Sequence, residues 1–307
     1  MANYNPKQAW HRGTAIEVEP GSTVQEQLDL AGLNWEVKLS PTMYAANGEI
    51  QVVPGLFSAH RSDTGAFIDT YAKREPWQNA DIVGAFNSFC EEADLPMTHL
   101  GSLDGGNEIY AAAKLPETIA PSRSVGDLTE LLLLLEDGHK NGTGLNVSVY
   151  ANRLICTNGM KKPVRVGKEK IAHVKAFNSA RIQGVIAAAH SFIQSKQEEV
   201  DRLADVNIDK AEAALQLIAA FGDPKQPVHN QPSIVKTCLR LFGGAGKGSN
   251  ELSSYNTAYG LLQSVTEYYN HHAKKRGTLE QQFQSVLSGG RANHMQKFER
   301  QVVSCYL

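Results

Sequence analysis

The chain has 307 residues, 42% of them hydrophobic and 20% charged, the balance of a globular protein long enough for one large domain or two modest ones. No apolar run approaches the ~20 residues of a membrane span, and the opening MANYNPKQAWHRG has no apolar signal core, so neither membrane insertion nor export by that route is expected. The formal net charge is only −2, but residues 1–150 hold nine Lys and Arg against twenty Asp and Glu, and residues 151–307 hold twenty-one against twelve. Such asymmetry points to nucleic acid or to self-association of unlike faces.

In chain order, STVQEQLDLAG predicts a short helix, capped by Ser22 or Thr23 with Glu26 completing a capping box and Gly32 ending it. NWEVKLSP alternates, with Trp35, Val37 and Leu39 on one face of a strand. EIQVVP, FSAHRSD and AFIDTYAKR predict further short strands, separated by the turn signals NG, PG and DTG. Asp63 and Gly65 read as turn residues. QNADIVGAFNSFCEEADLP predicts a helix with Asn79 as cap and Ile82, Val83, Phe86 and Phe89 on its buried face. MTHLGSLDGGNEIYAAAKLP predicts a hairpin turning at Asp104, Gly105 and Gly106. DLTELLLLLED and LNVSVYANRLICTNG predict two more strands; a leucine run fits a helix equally, but the Gly-rich GHKNGTG and the alternation that follows favour a sheet.

From Gly167 onward the pattern is helical. One long amphipathic segment runs to LAD, and IDKAEAALQLIAAFG follows, capped by Asn207. SIVKTCLRLF, NTAYGLLQSVTEYYNHHAKK, LEQQFQSVL and ANHMQKFERQVVSCYL complete the series. The expected fold class is α+β, an N-terminal antiparallel sheet with flanking helices over residues 1–165 and a C-terminal helical bundle over 166–307. The boundary coincides with the change in charge.

LFGGAGKGSN resembles a phosphate-binding loop, but Gly246-Lys247 is followed by Gly248, Leu241 stands where the first glycine belongs, and a helix rather than a strand precedes it. The glycines are expected to end a helix. Cys90, Cys156, Cys238 and Cys305 are scattered without zinc spacing, which predicts buried free thiols in a reduced, intracellular protein. His271 and His272 are adjacent on a helix and point apart, and His294 has no carboxylate motif with it. Glu91-Glu92 and Glu136-Asp137 fall at element ends. No catalytic constellation, metal site or cofactor motif emerges, so the expectation is a protein that is not an enzyme and needs no cofactor.

The densest charge lies at residues 153–181, where Arg153, Lys161, Lys162, Arg165, Lys168, Lys170, Lys175 and Arg181 face only Glu169. Tyr71, Arg74 and Trp77 cluster in YAKREPWQN, and Tyr150 precedes Arg153. Single-strand binders combine a basic groove with aromatic stacking platforms. These twelve residues are therefore the candidate nucleic-acid contacts.

Several phrases belong together: the Trp10 to Gly13 opening, AGLNWEV, VPGLFSAHRSDTG, PWQN, GSLDGGNEIYAAAKLP, LEDGHKNGTG, NRLICTNGM, IAHV and SVTEYYNHH. In that order, from Trp10 to about Lys297, they resemble the phage/plasmid-like family of unknown function carried by prophages, plasmids and tailed phages. ICTNGM departs from the VCQNTL usual in that family, and NTAYG from its GTxW. The resemblance implies a phage or mobile-element origin and a cytoplasmic location in a host bacterial cell. The helix–three-strand–helix order of residues 23–93 also resembles, in topology alone, the core of phage single-strand annealing proteins and their Rad-type relatives. That likeness implies an oligomeric ring that binds single-stranded DNA and anneals it without ATP. The alternative is an interaction factor whose acidic half binds a host defence or replication protein, and a third option is an enzyme with an unrecognised site.

Overall fold

The computed structural model describes residues 10–72, 75–124, 127–141, 143–154, 158–163, 179–274 and 276–307; at 158–163 and 179–181 only the backbone is described. The fold is α+β, as expected, with antiparallel sheets in the N-terminal part and several helices after them. The three-residue strand β1 (Ala15–Glu17) leads into α1 (Val24–Leu30). Its capping box forms as predicted: the Thr23 hydroxyl accepts from the Glu26 amide, and the Glu26 carboxylate accepts from the Thr23 amide at 2.7 Å.

β2 (Val37–Ala46), β3 (Glu49–Arg61) and β4 (Phe67–Ala72) form a three-stranded sheet in the order β2-β3-β4. Pro54-Gly55 does not divide two strands. β3 runs straight through it, because Gly55 takes φ +73° and the β2–β3 register shifts between Pro41 and Met43. The result is one long hairpin. At its far end Met43 pairs with Val52 and Ala45 with Ile50, so these four side chains share a face.

α2 (Asn79–Glu92) follows, with Gln78 rather than Asn79 at the cap. Asn79 is buried; its amide donates to the carbonyls of Leu33 (2.7 Å) and Trp35 (3.0 Å), and its oxygen accepts from Nε2 of buried His139 at 2.7 Å. A residue with this much interior hydrogen bonding is not free to cap.

The larger sheet is antiparallel, in the order β1-β5-β6-β7-β8-β9, adding β5 (Met97–Leu103), β6 (Glu108–Ile119), β7 (Thr129–Gly138), β8 (Asn146–Arg153) and β9 (Asn158–Pro163). The β5–β6 turn falls at Asp104–Gly106 as predicted, with Gly106 at φ +93° where a Cβ would meet the Trp35 ring at 2.9 Å. The leucine run is β7. Leu131, Leu133 and Leu135 face α2 and α3 (Ser179–Asp205), while Leu132 and Leu134 join Trp10, Tyr110, Tyr150, Phe283 and Leu287 on the other face. A strand buried on both sides needs apolar residues at every position, which removes the alternation.

The helices after α3 are α4 (Lys210–Phe221), α5 (Ser233–Arg240), α6 (Ala258–Glu267), α7 (Leu279–Leu287) and α8 (Gly290–Tyr306). Asp209, not Asn207, caps α4 by accepting from the Glu212 amide at 2.8 Å, and Asn207 instead bridges to Thr257. α3 joins two cores: Ile182, Val185, Ala189 and Ile193 pack with the sheet, and Leu203 and Ala204 with α4, α5, α6 and α8. The expected boundary at 165 lies outside the described residues. α7 supplies Phe283 and Leu287 to the sheet's second face, so the helices after 178 share cores with the sheet.

LFGGAGKGSN terminates a helix. A π turn at Leu241–Ala245 follows α5, Gly244 takes φ +108°, and the Lys247 amide donates to Glu267 at 2.9 Å. Cys90 and Cys238 are buried free thiols, but Cys305 is exposed, its sulfur accepting from Gln216; Cys156 lies outside the described residues.

Candidate functional site

The basic run begins at the end of β8 with a residue that cannot meet a ligand. Arg153 is 2% exposed, and its Nε and Nη2 each donate to Asp127 at 2.6 Å. Nη2 also donates to Ser254, the guanidinium lies over the Tyr259 ring, and Ser253 donates to Asp127. Asp127 is fully buried, and its charge requires a bidentate partner there. Arg153 is thus a structural ion pair, a correction to its expected phosphate role.

Tyr71 and Tyr150 are corrected in the same way. Tyr71 is buried, and its hydroxyl donates to the His139 carbonyl. Tyr150 is buried with its ring centroid 5.1 Å from that of Trp10, and burial pushes its phenol upward. Neither presents a face on which a base could stack. Trp77 is half-buried against the sheet core.

Lys161 and Lys162 lie on β9, the sheet's edge, in register with Tyr150 and Val149. Arg181 lies in the first turn of α3. Arg74, Arg165, Lys168, Lys170 and Lys175 lie outside the described residues. The edge strand thus carries two of the run's lysines, and Arg165, Lys168, Lys170 and Lys175 follow in sequence before α3.

A group of cations at the end of α6 has no motif in the sequence to announce it. After Glu267 the chain makes a π turn at Tyr268–His272, and its last carbonyls point outward to arginines from distant parts of the chain. Arg12 Nη2 donates to the Asn270 carbonyl at 2.9 Å, and Arg291 donates from Nη1 to Tyr269 (3.4 Å) and from Nη2 to Lys274 (2.7 Å). Burial lowers both guanidinium pKa values, and Arg291 lowers that of Arg12 further. Lys274 and Arg276 are exposed beside them in sequence, and the α8 residue His294 meets the Tyr269 hydroxyl at 3.1 Å.

Next to Arg12 stands a histidine pair. His11 Nδ1 accepts from the amides of Gly13 (3.2 Å) and Ala15 (3.3 Å), and its ring lies 5.2 Å from that of His99. Burial, with His99 adding to it, lowers the His11 pKa to about 4, while Glu17 pulls the other way. Burial lowers His99 as well.

A cavity of about 80 Å³ lies between β8, α3, α6 and α8. Lys196 on its wall is ion-paired with Glu199 and Glu299. Burial draws the Lys196 pKa down, but the two carboxylates outweigh it and hold the ammonium above its ordinary value. The Gln263 Oε1 is buried there without a hydrogen-bond partner among the described residues. The cavity has room for a few waters beside an ammonium balanced by two carboxylates.

Among the described residues no group of three or more His, Cys, Asp or Glu could hold a metal ion, and no helix is long and apolar enough to cross a membrane. No curated protein and no solved structure matches the chain. Residues 70–294, from β4 into the first turns of α8, match one family model, and the chain belongs to that family, described as a domain of unknown function (DUF932).

Proposed function

We propose that this protein binds single-stranded DNA as a homo-oligomer and promotes strand annealing without ATP, as a protein of phages or other mobile elements. The observation that carries the proposal is the basic run. Seven cations remain in it once Arg153 is assigned to Asp127, they face only Glu169, and the run starts on an edge strand. On this reading the lysines of the edge strand supply the positive charge that the backbone of a single strand follows. The Gly-rich loop supports the absence of a nucleotide requirement, because the Lys247 amide already serves the Glu267 carboxylate. The unequal charge of the two halves supports head-to-tail assembly.

The test is Lys161, Lys162, Arg165 and Lys168 changed together to Gln. If each contacts a phosphate, the slope of log affinity against log salt falls by about 0.7 per residue, roughly 3 in all. Affinity falls alike for different base sequences, since phosphates carry no sequence. A quadruple variant that binds single-stranded DNA like the parent, with the same slope, removes this reading.

A second reading is favoured by the β2–β3 hairpin, whose far end exposes Met43, Ile50 and Val52. On that reading the acidic half binds another protein, a host defence or replication factor, and DNA binding is absent.

A further inference from the structure

We propose that Arg12 and Arg291 form a binding site for a phosphate-class oxyanion at the C-terminal end of α6. Both guanidiniums are anchored, and neither is neutralised. Their hydrogen bonds go to the backbone carbonyls of Tyr269, Asn270 and Lys274 and to the Asn270 side chain, all uncharged acceptors. Neither arginine makes an ion pair among the described residues. The helix end itself offers roughly half a negative charge, less than two guanidiniums need.

The nearest carboxylate on this element is Glu267, and it is occupied. It is buried, it accepts from the Lys247 amide, and it meets His272 at 3.3 Å. The surroundings add charge of the same sign, with Lys274 and Arg276 exposed just beyond the π turn. Two like charges held together on fixed carbonyls repel one another, and an anion between them relieves that repulsion.

Donors are left for such an anion. Arg12 uses only Nη2 and Arg291 only Nη1 and Nη2, so Nε and Nη1 of the first and Nε of the second make no hydrogen bond among the described residues. The planar fork of arginine matches a tetrahedral oxyanion bidentately, and two arginines, with two more cations close in sequence, suit a dianion better than one carboxylate. The backbone is also set for this. Arg12 takes φ +53°, followed by Gly13 at φ +82°, a left-handed pair in which a non-glycine residue is costly, and its side chain reaches the Asn270 carbonyl. A diester in a nucleic-acid backbone and a monoester on a small molecule share this chemistry.

The site does not rest on the basic run, so it is tested without DNA first. Inorganic phosphate is titrated into the full chain at constant ionic strength against chloride, followed by calorimetry and by thermal midpoint. The expected result is saturable binding with a concentration-dependent rise in midpoint. Arg12→Gln and Arg291→Gln each weaken it about tenfold or more, and Arg300→Gln, exposed on the same helix α8 with its Nε on Gln296, leaves it unchanged. Arg12→Lys and Arg291→Lys keep the charge but lose the fork; they bind more weakly than the parent, and they decide the matter if a Gln variant does not fold. Displacement of phosphate by an oligothymidylate assigns the ligand to a nucleic-acid backbone, and binding without displacement assigns it to a small phosphate ester. No saturation beyond chloride, or parent-like binding in the Lys variants, overturns the site.

Discussion

The two sheets solve opposite problems. The six-stranded sheet is covered on both faces, by α2 and α3 on one side and by Trp10 and α7 on the other, and it even encloses an ion pair at the end of β8. The three-stranded sheet packs its inner end through Trp35, Val37, Ala59, Ile68 and Tyr71, then runs outward to Val52, 55% exposed, and Ile50, 75% exposed. A sheet buried on both sides holds the fold, whereas an apolar hairpin carried into solvent contributes little to it. On the proposed reading a second copy covers that hairpin, the acidic half of one chain meeting the basic half of another; on the second reading a different protein does.

Asp127→Ala cuts deepest into this contrast. It leaves Arg153 charged and unpaired in the interior, and the expected loss is about 3–5 kcal/mol, read from denaturant midpoints. Replacing Arg153 and Asp127 together with Met and Leu should restore much of it. If Asp127→Ala costs no more than a surface change, the end of β8 is open to water and the two sheets differ less than their packing implies.

The next effect is pH. His11 accepts two amides through an unprotonated Nδ1, and its folded pKa of about 4 lies below the ordinary 6.5. Between those values the unfolded chain takes up a proton that the folded chain refuses, so stability is full above about 6.5 and falls as pH drops toward 4. His99, also lowered, adds in the same direction. The expected loss is on the order of 2 kcal/mol, and His11→Asn, which keeps an acceptor, should flatten the curve. A stability that does not change over this window removes the assignment. The covered sheet should carry this acid sensitivity, since both histidines sit on its β1–β5 edge.

The smallest effect on stability belongs to the hairpin. Ile50→Ser with Val52→Ser should shift unfolding by about 0.5 kcal/mol or less. The same change should lower the apparent mass in light scattering toward 33.5 kDa. A parent that is already monomeric at low and high salt ends the self-association reading and leaves the hairpin to a different protein.

Much of this fold is written locally. The Thr23 and Glu26 capping box, the Asp104–Gly106 turn and the helix end at Gly244 each depend on neighbouring residues, and each formed as expected. The site was far less legible. Alternation tells which residues share a face, but at Tyr150 the larger sheet is covered on both sides, and Tyr71 lies on the packed face of the smaller one, so neither face is left for solvent. Arg153 read as one more cation in a run because its partner, Asp127, stands on a separate segment. The arginine pair was invisible for the same reason, since Arg12 and Asn270 are 258 positions apart. Left-handed φ at Arg12 also has no composition signal, as arginine is not a turn residue.

The cover of the larger sheet comes late in the chain. Trp10, Tyr110, Leu132, Leu134 and Tyr150 are all made by the time β9 is complete, but Phe283 and Leu287 of α7 follow only after roughly 120 further residues, about 6–24 s at ordinary rates of synthesis. For that interval a nascent chain carries this apolar sheet face without Phe283 and Leu287 over it. Expression therefore depends on whatever shields that face, and a chain cut before Leu279 would keep every strand and still be prone to aggregate.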